Sequence, residues 1–165
     1  MNNHVVKCEQ CGLEYSRDFD SDIKEHRNQH KCWQAAQTMH GTMRTYDKRE
    51  TEKQLIRRGL DNFSGDWRLL VVLYTNLMRI YFESSVSLHG YSRYKKHPKF
   101  EQFAAMLLNQ DAWKAQCSKY SPLVYEELVK KFGVLPGIGE EDVYWRGEGV
   151  QYDVNSGRLV YVNLE

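Results

Sequence analysis

Two cysteines and two histidines near the start of the chain limit its fold more than any other feature. The pair Cys8-x2-Cys11 is followed, after fourteen residues, by the pair His26-x3-His30. Zn²⁺ takes four ligands in a tetrahedron and favours thiolate sulfur and imidazole nitrogen. A Cys-x2-Cys turn directs two sulfurs at one point, and histidines four residues apart share one face of a helix. The spacing therefore predicts one structural zinc ion in a ββα finger.

The small apolar core of such a finger is also present. Tyr15 follows the second cysteine by four residues, and Ile23 precedes the first histidine by three. The cysteine-to-histidine spacing is two residues longer than the commonest one, and the extra residues fall between the hairpin and the helix. Asp20 or Ser21 is predicted to cap a helix that continues to about Met39.

Other interpretations of the cysteines stay open. Cys32 lies six residues after His26, about 240° around a helix, so we expect it to point away from the metal and prefer His30 as the fourth ligand. A redox Cys-x-x-Cys pair would require a βαβ pattern, which does not follow in the sequence. The chain has four cysteines and no export signal, which favours a reducing compartment.

The finger region resembles known C2H2 fingers in the residues Cys8-x2-Cys11-Gly12-Leu13-x-Tyr15, Asp22 and His26-x3-His30. Similar fingers precede the catalytic domain of cohesion-establishing acetyltransferases and open many proteins of Firmicutes bacteria, their phages and mobile elements. Nothing downstream resembles an acetyl-CoA site, so acetyltransferase activity is not implied. Residues 100–110 and 125–137 also resemble the bacterial proteins, and this wider resemblance implies a phage-type accessory factor.

The finger is not typical of one that reads DNA. In DNA-reading fingers, helix positions −1, 3 and 6 contact bases, and here they hold Phe19, Asp22 and Glu25. Arg and Lys read guanine and Asn and Gln read adenine, so this set is a poor reader. Residues 1–40 also carry six acidic side chains against five basic ones. The finger is therefore predicted to have a structural or protein-binding role.

Helical periodicity dominates the remainder of the chain. Four segments show it: 48–58, 67–88, 97–109 and 121–132. Apolar and polar residues then alternate in three short segments, 143–145, 150–153 and 158–162, which predicts strands. The predicted fold is α+β and mostly helical. Its parts are a zinc finger in residues 1–40, a charged connection in 41–64, and a helical domain ending in a small antiparallel β-meander in 65–165.

Basic side chains cluster in one predicted loop, residues 91–100, which carries no acidic residue and includes the ring of Phe100. The candidate partner-binding or nucleic-acid-binding side chains of this loop are Arg93, Tyr94, Lys95, Lys96 and Lys99. Such a loop suits RNA or DNA through phosphate contact and base stacking. A solvated loop between two helices is the simpler interpretation. Residues 133–165, in contrast, carry six acids and two arginines.

The sequence contains no Gly-x-Ser-x-Gly, no His-Glu-x-x-His and no phosphate-binding glycine loop. The most apolar segment, 67–88, is interrupted by charged residues, and a membrane span is therefore not expected. These features favour a cytoplasmic, non-enzymatic protein without a membrane partner. The net charge of +1 argues against a protein that acts mainly through nonspecific DNA binding.

The sequence therefore predicts a zinc-binding protein that binds a macromolecular partner, with a protein favoured and nucleic acid as the other candidate. The resemblance to mobile-element proteins implies a specific version, an anti-CRISPR-like inhibitor of a host defence nuclease such as a CRISPR effector. Its acidic C-terminal segment would imitate phosphates. The alternative is a nucleic-acid-binding regulator that uses the 91–100 loop.

Overall fold

Six helices and two strand pairs form the part of the chain that the computed structural model describes, residues 4–88, 98–135, 150–153 and 158–161. In chain order the elements are β1 (Val5–Lys7), β2 (Glu14–Ser16), α1 (Asp20–His40), α2 (Tyr46–Asp61), α3 (Arg68–Leu88), α4 (Phe100–Leu108), α5 (Asp111–Cys117), α6 (Pro122–Phe132), β3 (Val150–Asp153) and β4 (Arg158–Tyr161). The fold is α+β and mostly helical, as predicted.

The first three elements form the predicted ββα unit. Strands β1 and β2 are antiparallel, with Val6 opposite Tyr15. Helix α1 ends at His40, close to the predicted end. The predicted cap is wrong, because Phe19 is the N-cap residue and makes no side-chain capping bond. The nearby carboxylate of Asp22 instead accepts a hydrogen bond from the backbone of Ser16 at 3.0 Å, which ties β2 to α1.

All four helices predicted downstream of the finger are present, with shifted ends. Helix α2 begins earlier than predicted because the Thr45 side chain caps it by accepting from the Lys48 N–H. The sequence analysis did not assign α5, which is only seven residues long. Trp113 and Cys117, one turn apart on α5, are both buried.

Helix α3 is the centre of the helical packing and contacts α1, α2, α4 and α6. Its Leu70, Tyr74, Leu77 and Met78 are almost completely buried, because this helix carries apolar side chains on most of its faces. Ala36 of α1 and Met43 belong to the same buried cluster. Helix α1 therefore contributes to the core of the helical region. The predicted domain boundaries at residues 40 and 64 stay a prediction.

The C-terminal strands β3 and β4 pair in antiparallel register, with Val150 opposite Tyr161 and Asp153 opposite Arg158. They correspond to two of the three predicted strands, and the third, 143–145, lies outside the described residues. Across the described ranges, every helix is too short or too polar to traverse a bilayer.

Adjacent leucines on α3 provide a test of this packing. Leu70 has none of its surface exposed, whereas Leu69 has 58% exposed. We expect Leu70→Ala to lower the free energy of unfolding by about 2–5 kcal/mol, because it leaves a cavity. Leu69→Ala should change it by no more than about 0.5 kcal/mol. Urea denaturation of both variants checks this, and equal losses would contradict the orientation of α3.

Candidate metal centre

The two cysteine thiols are brought together by a tight turn, residues 8–13. The backbone N–H of Cys8 donates to the carbonyl of Leu13 at 2.9 Å, and the N–H of Gly12 donates to the carbonyl of Cys8 at 2.7 Å. Gly12 has a φ of 78°, a conformation that suits glycine. The motif Cys8-x2-Cys11-Gly12 therefore closes on itself and directs both sulfurs to one side. We call this segment the cysteine turn.

The two imidazoles come from one face of α1. His26 and His30 are one turn apart, and their ring centroids lie 4.5 Å apart at an angle of 74°. The ring of Tyr15, from β2, stacks on His26 with centroids 3.9 Å apart and planes 16° apart. Tyr15 thus orients the first histidine toward the hairpin, in agreement with its predicted place in the finger core.

The structure brings the four predicted ligands together. One donor atom each from Cys8, Cys11, His26 and His30 lies within 4.8 Å of the other three, and Cys8 Sγ is 3.1 Å from His30 Nε2. Donor atoms on one tetrahedral zinc ion lie about 3.3–3.8 Å apart, so small side-chain rotations suffice to bind an ion. Cys32 lies outside this cluster. The four residues can therefore hold a metal ion.

The polar atoms of the cluster fit a bound cation. His26 Nε2 is buried and has no hydrogen-bond partner, and an unpartnered buried nitrogen is costly unless something coordinates it. Burial, and then the neighbouring His30, lower the pKa of His26, which favours the neutral imidazole that binds metal. Burial raises the pKa of the Cys11 thiol. A bound cation would reverse that effect, because it stabilises the thiolate.

Comparison with family models, with curated proteins and with solved structures found no match to this chain. The resemblance to bacterial and phage fingers therefore stays a prediction. The candidate metal centre rests on the geometry of this chain alone.

The cysteine turn also contacts the helical region. The N–H of Tyr46 donates to the carbonyl of Gln10 at 2.8 Å, and the N–H of Asp47 donates to the carbonyl of Glu9 at 3.1 Å. The first N–H groups of a helix lack acceptors within the helix, so the turn supplies them for α2. The Tyr46 ring lies against Gly12. The sequence analysis missed these contacts. The capping residue Thr45 marks the start of α2 but does not indicate which carbonyls the first N–H groups of the helix meet.

The structure places only Lys99 among the predicted basic-loop candidates, because Arg93, Tyr94, Lys95 and Lys96 lie outside the described residues. Lys99 is exposed at the start of α4, where its backbone N–H donates to the Gln102 side chain at 3.0 Å. Phe100, counted among the loop's rings, is 6% exposed. Its ring is therefore not available to stack on a base.

Cys117, the remaining cysteine, is separate from the cluster. Its side chain is buried in the helical core, and burial raises the pKa of its thiol to about 12. Nucleophilic cysteines have lowered pKa values and accessible sulfurs. Cys117 is therefore a packing residue.

A comparison of Gly12 with Gly41 distinguishes the steric effect of the Tyr46 ring from the backbone strain of a positive φ. A Cβ on Gly12 would lie 2.3 Å from the Tyr46 ring, whereas a Cβ on Gly41 would meet nothing within 4 Å, and both residues have positive φ. Strain at such a φ costs about 1–3 kcal/mol. We expect Gly12→Ala to lower the free energy of unfolding by more than Gly41→Ala, and Tyr46→Ala to relieve the excess in the double variant. Chemical denaturation of the metal-loaded proteins measures this, and equal effects would contradict the contact.

Proposed function

We propose that the chain binds one Zn²⁺ through Cys8, Cys11, His26 and His30, and that this ion is structural. The observation that supports this most directly is the buried, unpartnered Nε2 of His26, which lies among three other metal donors. Two thiolates and two imidazoles are a donor set that favours tetrahedral zinc over harder cations. Four protein ligands leave no open coordination position, so the ion supports folding and does no chemistry.

Alanine variants test the ligand assignment. We expect one zinc per chain in the purified protein, and loss of that zinc in Cys8→Ala and His26→Ala, because three ligands bind zinc less tightly than four. Cys32→Ala is the matched control, since Cys32 lies outside the cluster, and it should keep its zinc. Elemental analysis after gel filtration gives the stoichiometry. Full zinc content in both ligand variants would overturn the assignment.

We further propose that the zinc-bound finger contacts a protein partner. Phe19, at the first of the three base-reading positions, is 54% exposed, and Val5 of β1 is 56% exposed. Asp22, at the second position, is already bonded to the Ser16 backbone. Glu25, at the third, is exposed and acidic. Exposed apolar side chains beside acidic ones suit a protein surface, whereas phosphate would be repelled.

A pull-down from bacterial lysate tests the class of partner. The tagged, zinc-loaded protein is used with and without nuclease treatment, and we expect a protein partner to be retained after nuclease treatment. Phe19→Ala should reduce its recovery, because aromatic residues at an interface carry much of the binding energy. Met39→Ala is the control, since Met39 is also an exposed apolar side chain, 50% exposed, but lies at the C-terminal end of α1, whereas Phe19 precedes its N-terminus. If nucleic acid alone is recovered, and moderate salt releases it, the proposal is contradicted. That result would favour the alternative, a nucleic-acid-binding regulator that uses the 91–100 loop.

The narrower proposal is that this partner is a host defence nuclease such as a CRISPR effector. It is supported by the resemblance of the finger to mobile-element proteins and by the six acids in residues 133–165, which would imitate phosphates. Identification of the retained protein tests it. A nuclease whose DNA cleavage slows when the protein is added would support it, and a retained partner without nuclease activity would contradict it.

A further inference from the structure

A cleft of about 680 Å³ lies between the start of α2 and the middle of α3. None of the four candidate metal ligands lines it. Its volume lies within the range of about 300–1,000 Å³ that is usual for small-molecule sites. The charged and amide side chains on its walls are Arg44, Lys48, Glu52, Asn76, Arg79 and Glu83.

Arg44 occupies both carboxylates of this cleft. Its Nε donates to Glu52, its guanidinium NH1 lies 2.8 Å from Glu83 Oε1, and its backbone N–H donates to Glu83 Oε2 at 3.1 Å. Lys48 reaches Glu52 only at 4.0 Å. Arg44 therefore makes the shortest contacts with both carboxylates.

Arg79 is close enough to Glu83 for its charge to oppose the raised pKa of that carboxyl, but it forms no ion pair with it. Over the described part of the chain its guanidinium makes no ion pair, and it lies 3.6 Å from the ring centroid of Phe100. A guanidinium that lies on an aromatic face keeps its edge N–H groups free to donate. Asn76 precedes Arg79 by one turn, so both side chains lie on the same face of α3. Within the part of the chain that the structure describes, the Asn76 amide also has no hydrogen-bond partner.

We propose that this cleft binds the phosphate group of a small molecule, a role that goes beyond the metal centre and its partner. The fork of Arg79 donates to two phosphate oxygens, and the Asn76 amide donates to a third. Lys48, whose side chain is 65% exposed at the mouth of the cleft, adds positive charge. A carboxylate has only two oxygens and would leave one of these donors unused.

Titration calorimetry on the zinc-loaded full chain tests this site. The probes are inorganic phosphate, adenosine monophosphate, adenosine and acetate, all at one pH and one ionic strength. We expect saturable binding of both phosphates, no binding of adenosine, and weaker binding of acetate. Tighter binding of the monophosphate than of inorganic phosphate would identify a phosphate monoester as the ligand, and equal binding would identify free phosphate. Absence of saturation at millimolar phosphate, or equal binding of acetate, would overturn the proposal.

Variants locate the binding. Arg79→Met keeps an unbranched side chain against Phe100 without the charge, and it should weaken phosphate binding at least about tenfold, since charge-assisted bonds are the strong ones. Arg79→Lys should fall between Arg79→Met and the parent. Arg58→Met, on the exposed surface outside the cleft, should leave affinity unchanged. Asn76→Ala, which leaves the contact with Phe100 intact, is expected to weaken binding less than Arg79→Met.

Circular dichroism confirms that each variant is folded before titration. If folded Arg79→Met and Asn76→Ala both bind phosphate as tightly as the parent, the cleft is not the site. A loss in Arg58→Met as large as that in Arg79→Met would contradict the proposal in the same way, because it would indicate binding governed by overall charge.

Discussion

The N–H groups of Tyr46 and Asp47 at the start of α2 donate to the carbonyls of Gln10 and Glu9, and these hydrogen bonds join the candidate metal centre to the helical core. Helix α2 packs in turn on α3. Gln29 of α1 and Arg49 of α2 both donate to Ser87 near the end of α3, to its carbonyl and hydroxyl respectively. Free energy of metal binding at the finger would therefore support helix packing well beyond the four ligands.

Charge burial sets the arrangement of α2 against α3. Arg49 and Glu83 are each 3% exposed. Burial lowers the pKa of Arg49 and raises the pKa of Glu83, with Arg44 opposing the shift of Glu83. Removing one of these three charged side chains would leave a buried charge without its opposite charge, so their contributions to stability are not independent. Arg44 also bonds to Glu52 and Glu83 in the neighbouring cleft, and Arg79 forms no ion pair with either carboxylate.

The cluster of Cys8, Cys11, His26 and His30 could be predicted from the sequence because these residues lie in two short motifs with fixed spacing. The capping residue of α1 could not, since the N-cap position is held by Phe19, which makes no side-chain capping bond, and not by Asp20 or Ser21. Helix α5 is too short for periodicity to be recognised. The burial of Phe100 and the contact of Tyr46 with Gly12 depend on partners distant in sequence. Local pattern carries no information about such contacts.

The contact of Tyr46 with Gly12 has a consequence for evolution and for engineering. Zinc fingers are commonly exchanged between proteins as independent units, because their stability depends only on their own ligands and small core. Here any unit that replaced β1, β2 and α1 would need a glycine directly after its second cysteine, and two carbonyls placed to accept from the first N–H groups of α2. The ββα unit is therefore tied to this scaffold, and its replacement would separate α2 from the turn that caps it.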